Sequence, residues 1–533
     1  MKRLSFKAIV LLVAGICALS CDLLISFEKS DDTSPEGNSP EGSTPEGNTP
    51  KPDNDEFVIL FTNDFHSQIE PADNGRGGAA RLKVLVDSVR RAEPVVLLAD
   101  SGDLVQGTYY FSLLNGVVEM MILEELGYDI RTLGNHEFDK KMTGLGEMLA
   151  MSKVPVVTTN YDFSNTSLAN YMKDSAILDA GSIKVGFLGL NVMLRNLVDP
   201  TACEGVEWQN AINVADEEAE SLRAKGADIV IALSHLGYGR NDDRYYYDRG
   251  IAMNTRHIDM IIGGHSHTTL YEADYVTNLD GERIPIVQTG SKGANLGYAK
   301  IKMDKEGKPS FTYRLIPVND RLDDRIDQAF ADRIGVYSAT VSEKMNEKLG
   351  YCPYDIKKGY PESRLGNLTA DGMIWMAKEY QNVDADVSIY NSGGIRSNIS
   401  QGDLTLGDIY AVYPFDNALT TLTMKGSDLK TLFSHVAALG GMPVNAAVRL
   451  VIGSDYSVKS LTLDGQPIDD DRTYTIATID YLANTGEYGL DKYITRRDSP
   501  EYVRDYFGEY YRQLAEANGG QINGYLDGRV RME

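Results

Sequence analysis

Cysteine is scarce in this sequence, with four among 533 residues. So few thiols exclude a disulfide framework, and we expect Cys203 and Cys352 to be free, with a bridge between them as the alternative. Basic residues are also in deficit, since 52 lysines and arginines face 77 aspartates and glutamates, for a net charge of -25. An acidic surface repels a phosphate backbone, so the composition argues against a nucleic-acid polymer as partner. Local positive charge for a small anionic substrate would have to come from metal ions or a few arginines.

The N-terminal segment lacks an apolar run long enough to cross a bilayer. Residues 8–19 form an apolar stretch of about a dozen residues behind three basic residues, a pattern typical of a signal peptide over residues 1–20. The Ser-Cys junction at Cys21 resembles the bacterial lipoprotein processing site, where this cysteine would become a lipid anchor in the membrane. The alternative is an ordinary secretion signal with Cys21 present by chance. Both interpretations predict an exported protein.

The segment after the signal contains a repeat. Residues 34–48 read as three Ser/Thr-Pro-Glu-Gly pentads with no apolar side chain to bury. Such a composition stays extended in water because it cannot offset the entropy cost of folding. We therefore predict a Pro/Glu/Gly-rich tether over residues 21–54 that holds the rest of the chain away from a membrane surface.

Short aliphatic runs alternate with polar clusters and helical stretches from about residue 57 to residue 317. The runs are FVILF (57–61), VVLLA (95–99), DIRTL (129–133), IVIAL (229–233), DMIIG (259–263) and IPIVQ (284–288). Each is long enough for a buried strand, and their alternation with helical patterns predicts an α/β fold.

Polar clusters follow five of these runs. They contain Asp64 and His66, Asp103, Asn135 with His136 and Asp139, His235, and His265 with His267. Five of the seven histidines in the chain lie in these clusters. A single histidine after a strand is more often a loop residue than a ligand, but the carboxyl ends of strands in an open α/β sheet converge, so five correlated cases favour a metal site. Carboxylate, amide and imidazole donors without thiols suit Zn²⁺, Mn²⁺, Fe²⁺ or Co²⁺, and seven donors exceed what one ion uses.

The ordered motifs D-x-H, G-D-x-x-x-G, G-N-H-E-F-D, S-H-x-G and G-G-H-S-H resemble those of the calcineurin-like metallophosphoesterases, and G-N-H-E-F-D resembles the branch of 5'-nucleotidases and UDP-sugar hydrolases. The resemblance implies a four-layer α/β/β/α domain with two divalent ions. It assigns Asp64, His66 and His267 to the first ion, Asn135, His235 and His265 to the second, Asp103 as the bridge, and His136 with Asp139 as the catalytic pair. One departure is His267, where the family often has Gln or Asn.

A change of pattern after Pro317 predicts a connecting helix. Apolar residues recur at spacings of three and four from Ile326 to Met345, which gives one apolar helical face. The predicted organisation is therefore a dimetal domain over residues 55–319, a linker helix over 320–349, and a smaller α+β domain over 350–533.

Three motifs in the last region are candidate substrate contacts. Asn391, Gly393, Gly394 and Arg396 follow the run DVSIY, Phe415 lies in a YPFD segment, and Tyr481 and Glu487 lie in DYLANTGE. Paired glycines after a strand allow a ligand to approach the backbone, although a tight turn with a solvated arginine is an equal alternative. These motifs resemble the C-terminal domain of 5'-nucleotidases, which implies that Phe415 and Tyr481 sandwich a base and that Asn391 and Arg396 contact the nucleotide.

Three positions depart from that family pattern. Tyr481 stands where the second stacking residue is usually Phe, Glu487 stands at the ribose-binding Asp, and Gly359 aligns with a usual Arg. Lys357, Lys358 or Arg364 would have to replace that missing charge.

Taken together, these features predict a lipid-anchored, exported enzyme that hydrolyses 5'-nucleotides to nucleoside and phosphate between its two domains, with relative domain motion through the linker. Within the same family, the alternatives are hydrolysis of UDP-sugars, 2',3'-cyclic nucleotides or dinucleotides, and a thiosulfate-handling role. From another class, the alternative is a surface nucleotide-binding module with an inactive metal site.

Overall fold

The computed structural model describes residues 55–72, 74–194, 197–198, 200–239, 247–485 and 488–533. The signal segment, Cys21 and the tether lie outside these residues, as does Glu487. Within the described residues, no helix combines the length and the apolar character needed to cross a membrane.

Two sheets form the centre of the N-terminal part. The first has seven strands in the order Pro309–Pro317, Asn295–Met303, Glu56–Thr62, Val96–Asp100, Ile130–Arg131, Val156–Val157 and Met172–Lys173. The second has six strands in the order Asp274–Thr277, Arg283–Val287, Met260–Ile262, Ile229–His235, Ile183–Asn191 and Ser175–Ala180. In the first sheet, the five strands from Glu56–Thr62 to Met172–Lys173 are parallel, and Asn295–Met303 and Pro309–Pro317 add antiparallel strands at one side. In the second sheet, the four inner strands are parallel, and an antiparallel strand closes each edge.

The continuous apolar runs follow from burial on both sides of each sheet. In the strand Glu56–Thr62, Phe57, Ile59 and Phe61 point into a core shared by the two sheets. Val58 and Leu60 point the other way, into a core under the outer helices. Because alternate residues face opposite sides of a strand, both sets must be apolar here.

Helices cover the outer faces. Those near the first sheet are Ala79–Ala92, Tyr109–Leu114, Val117–Leu126 and Lys141–Met151, and those on the second sheet are Ala211–Ala224 and Asp248–Asn254. The helix Ala211–Ala224 begins at Asn210, whose side chain accepts a hydrogen bond from the Ile212 amide, and buries alanines at every fourth position. The order helix, sheet, sheet, helix confirms the four-layer α/β/β/α arrangement.

The connecting helix occupies Gln328–Met345. It begins at Asp327, whose carboxylate accepts from the amides of Ala329 and Phe330, and its buried residues include Phe330 and Ile334. A short 3₁₀ turn at Asp320–Arg325 precedes it, and Arg81 pairs with Asp323 of that turn at 2.6 Å.

The C-terminal part combines small sheets with helices. One four-stranded sheet has the order Val387–Ser388, Thr473–Ile479, Ala418–Lys425 and Thr495–Tyr502, and another has Gln466–Pro467, Val458–Leu463, Val448–Ile452 and Val530–Met532. Two-stranded pairs are Lys348–Cys352 with Gly402–Thr405 and, in the N-terminal part, Tyr161–Asp162 with Glu207–Trp208. The helices are Arg364–Gln381, Leu406–Val412, Gly426–Ala438, Asp480–Thr485 and Val503–Ala517. Neither Cys203 nor Cys352 forms a disulfide in the described part of the chain, as expected.

Candidate active site

The predicted metal residues come together at one end of the two sheets. The first sheet contributes Asp64, His66, Asp103 and Asn135 from loops after its parallel strands, and the second contributes His235, His265 and His267. All but His265 and His267 are buried. The site therefore lies where both sheets end, which is why residues 201 positions apart in sequence become neighbours.

Three groups of donor atoms lie close enough together to hold an ion: Asp64, His66 and His267; Asp103, His235 and His265; and His66, Asp103 and His136. In the first, the Nε2 of His267 lies 3.3 Å from the Oδ1 of Asp64 and 2.9 Å from the Nε2 of His66. In the second, the Nε2 of His235 lies 3.0 Å from the Oδ2 of Asp103 and the ring of His235 lies 5.2 Å from that of His265. The same Asp103 oxygen is 3.9 Å from the Nε2 of His66, so Asp103 stands between the groups.

The chemistry of these donors fits divalent cations. The Nε2 atoms of His66 and His267 face each other at 2.9 Å, and the buried Oδ1 of Asn135 has no hydrogen-bond partner among the described residues. Burial lowers the pKa of His66, and burial together with His235 lowers the pKa of His265 to about 4, so both rings are in the neutral form that binds metal. Burial would also lower the pKa of His235, but Asp103 raises it to about 10, and a cation there must displace that proton.

The backbone at this site is strained. Five of the seven residues have φ in the left-handed region: Asp64 (48°), His66 (50°), Asp103 (53°), His265 (67°) and His267 (53°). Residues other than glycine rarely adopt this conformation, which costs about 1 kcal/mol or more each. Loop-to-loop hydrogen bonds hold it in place, from the Asp64 amide to the Gly102 carbonyl (2.9 Å) and from the His66 amide to the Asp103 carbonyl (3.0 Å).

Glu137 is a residue that the sequence analysis missed. Its buried carboxylate accepts hydrogen bonds from the amides of Gly134 (2.6 Å), Leu104 (2.9 Å) and Asp103 (3.2 Å). It thereby ties the loop of Asp103 to the loop of Asn135. Gly134 has to be glycine for a related reason, because a Cβ there would lie 2.1 Å from the Oδ1 of Asp103.

The predicted catalytic pair lies beside the metal residues. A 3₁₀ turn at His136–Phe138 places the Nδ1 of His136 2.9 Å from the Oδ2 of Asp139, and the His136 amide donates to Asp103 at 2.9 Å. Burial would lower the pKa of His136, but Asp139, Asp103 and Glu137 raise it to about 10. The pair is thus an imidazolium held in one orientation by a carboxylate.

A cavity of about 370 Å³ joins this pair to the C-terminal part. His136 and Asp139 line it on one side, and the predicted substrate residues Asn391, Gly393, Gly394, Phe415 and Tyr481 line it on the other. Its size falls within the range of small-ligand sites, and it combines aromatic rings with a few polar groups.

Arg396 does not line the cavity. Its guanidinium lies 5.7 Å from the centroid of the Phe415 ring. Of the basic residues considered near Gly359, Lys358 donates to the carbonyls of Ile395 (2.8 Å) and Arg396 (3.3 Å), and so supports this turn. Lys357 pairs instead with Asp355, and Arg364 packs on Tyr354.

Three further charged residues beside the cavity, Lys140, Asp416 and Arg504, were not predicted as site residues, although Asp416 belongs to the YPFD segment. The Nζ of Lys140 lies 2.7 Å from the Oδ2 of Asp416, and Arg504 pairs with the other oxygen of Asp416. Lys140 is adjacent to Asp139 and Asp416 is adjacent to Phe415, but no spacing in the sequence indicates that the two segments meet.

Comparison with known proteins shows what this arrangement resembles. Residues 57–269 match the calcineurin-like phosphoesterase family, and residues 354–491 match the 5'-nucleotidase C-terminal domain. The first range contains all seven metal candidates together with His136 and Asp139, and the second contains every predicted substrate residue.

Similar proteins share both parts. A 5'-nucleotidase of Mus musculus is 28% identical over 492 residues, covering 81% of this chain and 83% of that protein. A trifunctional nucleotide phosphoesterase protein of Bacillus subtilis is 26% identical and covers 89% of this chain, which spans 35% of that longer protein. The crystal structure of a 5'-nucleotidase precursor from Thermus thermophilus aligns with a TM-score of 0.66 and 26% identity, over 90% of this chain and 99% of that one.

Proposed function

We propose, on the premise that this chain belongs to the 5'-nucleotidase family of calcineurin-like phosphoesterases, that it hydrolyses 5'-nucleotides to nucleoside and phosphate. The observation that carries the proposal is a cavity lined both by the His136–Asp139 pair and by Phe415 and Tyr481. A phosphate at the catalytic pair and a base at the aromatic residues are the two ends of one nucleotide.

The family uses two divalent ions, and the donor groups described above fit them. We assign Asp64, His66 and His267 to one ion, Asn135, His235 and His265 to the other, and Asp103 to both. When bound, the ions neutralise the phosphate oxygens and lower the pKa of an attacking water. They also supply the positive charge that an acidic chain needs in order to bind an anion. Carboxylate, amide and imidazole donors of this kind suit Zn²⁺, Mn²⁺, Fe²⁺ and Co²⁺.

The protein's own groups act on the other side of the phosphorus. Asp139 fixes the Nδ1 of His136, which leaves the Nε2 proton to hydrogen-bond the phosphate and to protonate the departing nucleoside oxygen. Because the pair is preorganised, no side chain has to reorient when charge develops on the phosphate.

The C-terminal part recognises the nucleoside. We assign base stacking to Phe415 and Tyr481, a contribution of about 1–3 kcal/mol per stacked base. Asn391 has a buried Oδ1 without a partner among the described residues, and it offers this oxygen to the nucleotide. Gly393 and Gly394 let the ligand approach the backbone. Glu487, at the ribose position of the family, and Arg396, behind Phe415, complete the proposed set.

We further propose that the protein is exported and anchored through Cys21, which rests on the signal pattern of residues 1–20 and on the tether of residues 21–54. Membrane attachment is tested by labelling expressing cells with a radioactive or clickable fatty acid. The wild-type chain should carry the label, whereas Cys21→Ala should not.

The activity is tested on the purified chain loaded with Mn²⁺, Zn²⁺ or Co²⁺ against AMP, GMP, UMP, ATP, UDP-glucose and 2',3'-cyclic AMP. Phosphate release from the monophosphates would support the proposal. Preference for UDP-glucose or the cyclic nucleotide would favour the alternative, which the trifunctional relative keeps open. Nucleotide binding without any product would identify a binding module instead.

A further inference from the structure

We propose that Lys140, Asp416 and Arg504 form an ionic latch that locks the nucleoside-binding loop against the catalytic loop and so positions the His136–Asp139 pair on a bound 5'-nucleotide. The proposal rests on the function proposed above. It assigns a positioning role to three residues outside the proposed metal donors and the proposed base-stacking pair, of which Asp416 and Arg504 line the cavity.

The latch joins the two family domains across the cavity. Lys140 lies in the calcineurin-like region and Asp416 in the 5'-nucleotidase C-terminal region. Their side chains meet at 2.7 Å, with only 8% and 11% of each exposed. Arg504, 2% exposed, pairs with the second carboxylate oxygen and donates to the Pro414 carbonyl at 2.9 Å.

Aromatic rings enclose the Lys140 ammonium. It lies 5.4 Å from the centroid of Phe111 and 4.9 Å from that of Tyr502. Arg504 also lies over Tyr502, at 5.5 Å, and over Tyr410, at 5.1 Å. Cation–π contacts in a desolvated setting partly replace lost hydration, so the charges are held in one geometry.

The charges of the network balance. Asp416 alone would face two cations, Lys140 and Arg504. Asp505 supplies the second anion. Burial would lower the pKa of Arg504, but the charges of Asp416 and Asp505 raise it. A buried ion pair is costly to break from one side, because the remaining charge stays desolvated. The arrangement in which Lys140 and Asp416 are paired is therefore much more stable than one in which they are apart but still buried.

The sequence neighbours of the latch give it a mechanical role. Lys140 directly follows Asp139, which orients His136, and Asp416 directly follows Phe415, which lines the base end of the cavity. A displacement of the Phe415 loop must therefore pull on the loop that holds the catalytic pair. A second contact, from the Tyr109 hydroxyl to the Gly407 carbonyl at 2.9 Å, joins the same two regions away from the catalytic pair.

The test compares a nucleotide with a phosphate ester that has no nucleoside. Lys140→Met, Asp416→Asn and the double variant are assayed at matched metal content on AMP and on p-nitrophenyl phosphate. Because only AMP uses both loops, we expect the ratio of kcat/KM for AMP to that for p-nitrophenyl phosphate to fall about tenfold or more in each single variant. Asp416→Asn should lower this ratio more than Lys140→Met does, because it leaves two buried cations without their shared carboxylate. In the double variant the ratio should fall by less than the product of the two single effects.

Two further variants serve as controls. Lys348→Met removes an exposed ion pair with Asp403 that involves neither Lys140 nor Asp416, and it should leave the ratio unchanged. Lys140→Arg keeps the charge and should retain most of the wild-type ratio, which a general loss of folding would not allow.

The outcomes separate the latch from the proposed function. If the wild type hydrolyses AMP and the single variants keep its substrate ratio, or if Lys140→Arg loses as much as Lys140→Met, the latch is wrong while the function stands. If the wild type does not hydrolyse AMP, the function fails, and the dissociation constant for AMP measured by calorimetry decides the latch. A tenfold higher dissociation constant in Lys140→Met would then support the latch, and a dissociation constant equal to that of the wild type would overturn it.

Discussion

Replacing Glu137 by glutamine removes a buried charge that holds two ligand loops together. The carboxylate accepts three amide hydrogen bonds, from Gly134, Leu104 and Asp103, at 2.6, 2.9 and 3.2 Å. Glutamine keeps one oxygen and presents an NH₂ group in place of the other. At least one backbone amide would then face a donor instead of an acceptor.

The size of the effect follows from these bonds. A hydrogen bond to a charged group contributes about 1.5–3 kcal/mol, and a buried donor left unsatisfied costs a further ~1–3 kcal/mol. We therefore expect about 3 kcal/mol to be lost, partly from folding and partly from the alignment of Asp103 with Asn135. Loss of a residue that orients metal ligands typically lowers metal affinity by about 10–100-fold.

The assay is equilibrium dialysis of the purified chain against Zn²⁺ or Mn²⁺, with bound metal measured by mass spectrometry. Glu119→Gln is the matched control, since Glu119 is also fully buried, but among the described residues it interacts with the ligand loop only through the Ser67 side chain and not through the backbone amides that Glu137 binds. Glu137→Gln should need at least about tenfold more metal for half-saturation, and Glu119→Gln should bind as the wild type does. Equal metal affinity in all three proteins would refute the assignment of Glu137.

Other changes probe the core, the loops and the base site. Burial raises the pKa of Glu119 from its ordinary value of 4.5 to about 7, although the Ser67 hydroxyl opposes this rise. Between these two pKa values the folded state holds a proton that the unfolded state has released. The free energy of unfolding therefore falls as pH rises from about 5 to 7. Glu119→Gln should remove that loss, gaining up to about 3 kcal/mol over the wild type by pH 8 in urea unfolding, whereas parallel pH profiles would contradict it. Gly134→Ala would place a Cβ 2.1 Å from the Asp103 carboxylate and should abolish binding of at least one ion, measured by the same dialysis; full stoichiometry would disprove the clash. Phe415→Ala should raise KM for AMP about tenfold with little change for p-nitrophenyl phosphate, and an equal effect on both substrates would exclude a base-stacking role.

The strands and their polar ends could be predicted from the sequence because their signals are local. The run at residues 57–61 became the strand Glu56–Thr62, and the residues after it lie at the metal end of the sheet as the α/β pattern predicts. The antiparallel strands Asn295–Met303 and Pro309–Pro317 were missed. The second is an edge strand that alternates exposed and half-buried residues and carries no continuous apolar run.

The remaining features of the site depend on contacts between distant segments. The left-handed φ of Asp64 and His66 is held by hydrogen bonds between loops, and no residue type at those positions indicates it. Glu137 was visible inside the G-N-H-E-F-D motif, but its role depends on amides of a loop 33 residues earlier. The pairing of Lys140 with Asp416 needs both domains folded, so neither segment alone could reveal it.

The central claim is that one cavity couples a dimetal phosphoesterase centre to nucleoside recognition, and phosphate release from AMP tests it most directly. The measurement compares the Mn²⁺-loaded chain, the chelator-stripped chain, and a loaded His136→Ala variant with the same metal content. We predict turnover by the loaded wild type, none after stripping, and a kcat reduced about 100-fold or more in the variant because the proton donor is missing. Unchanged turnover in His136→Ala, or no phosphate from the loaded wild type, would contradict the account.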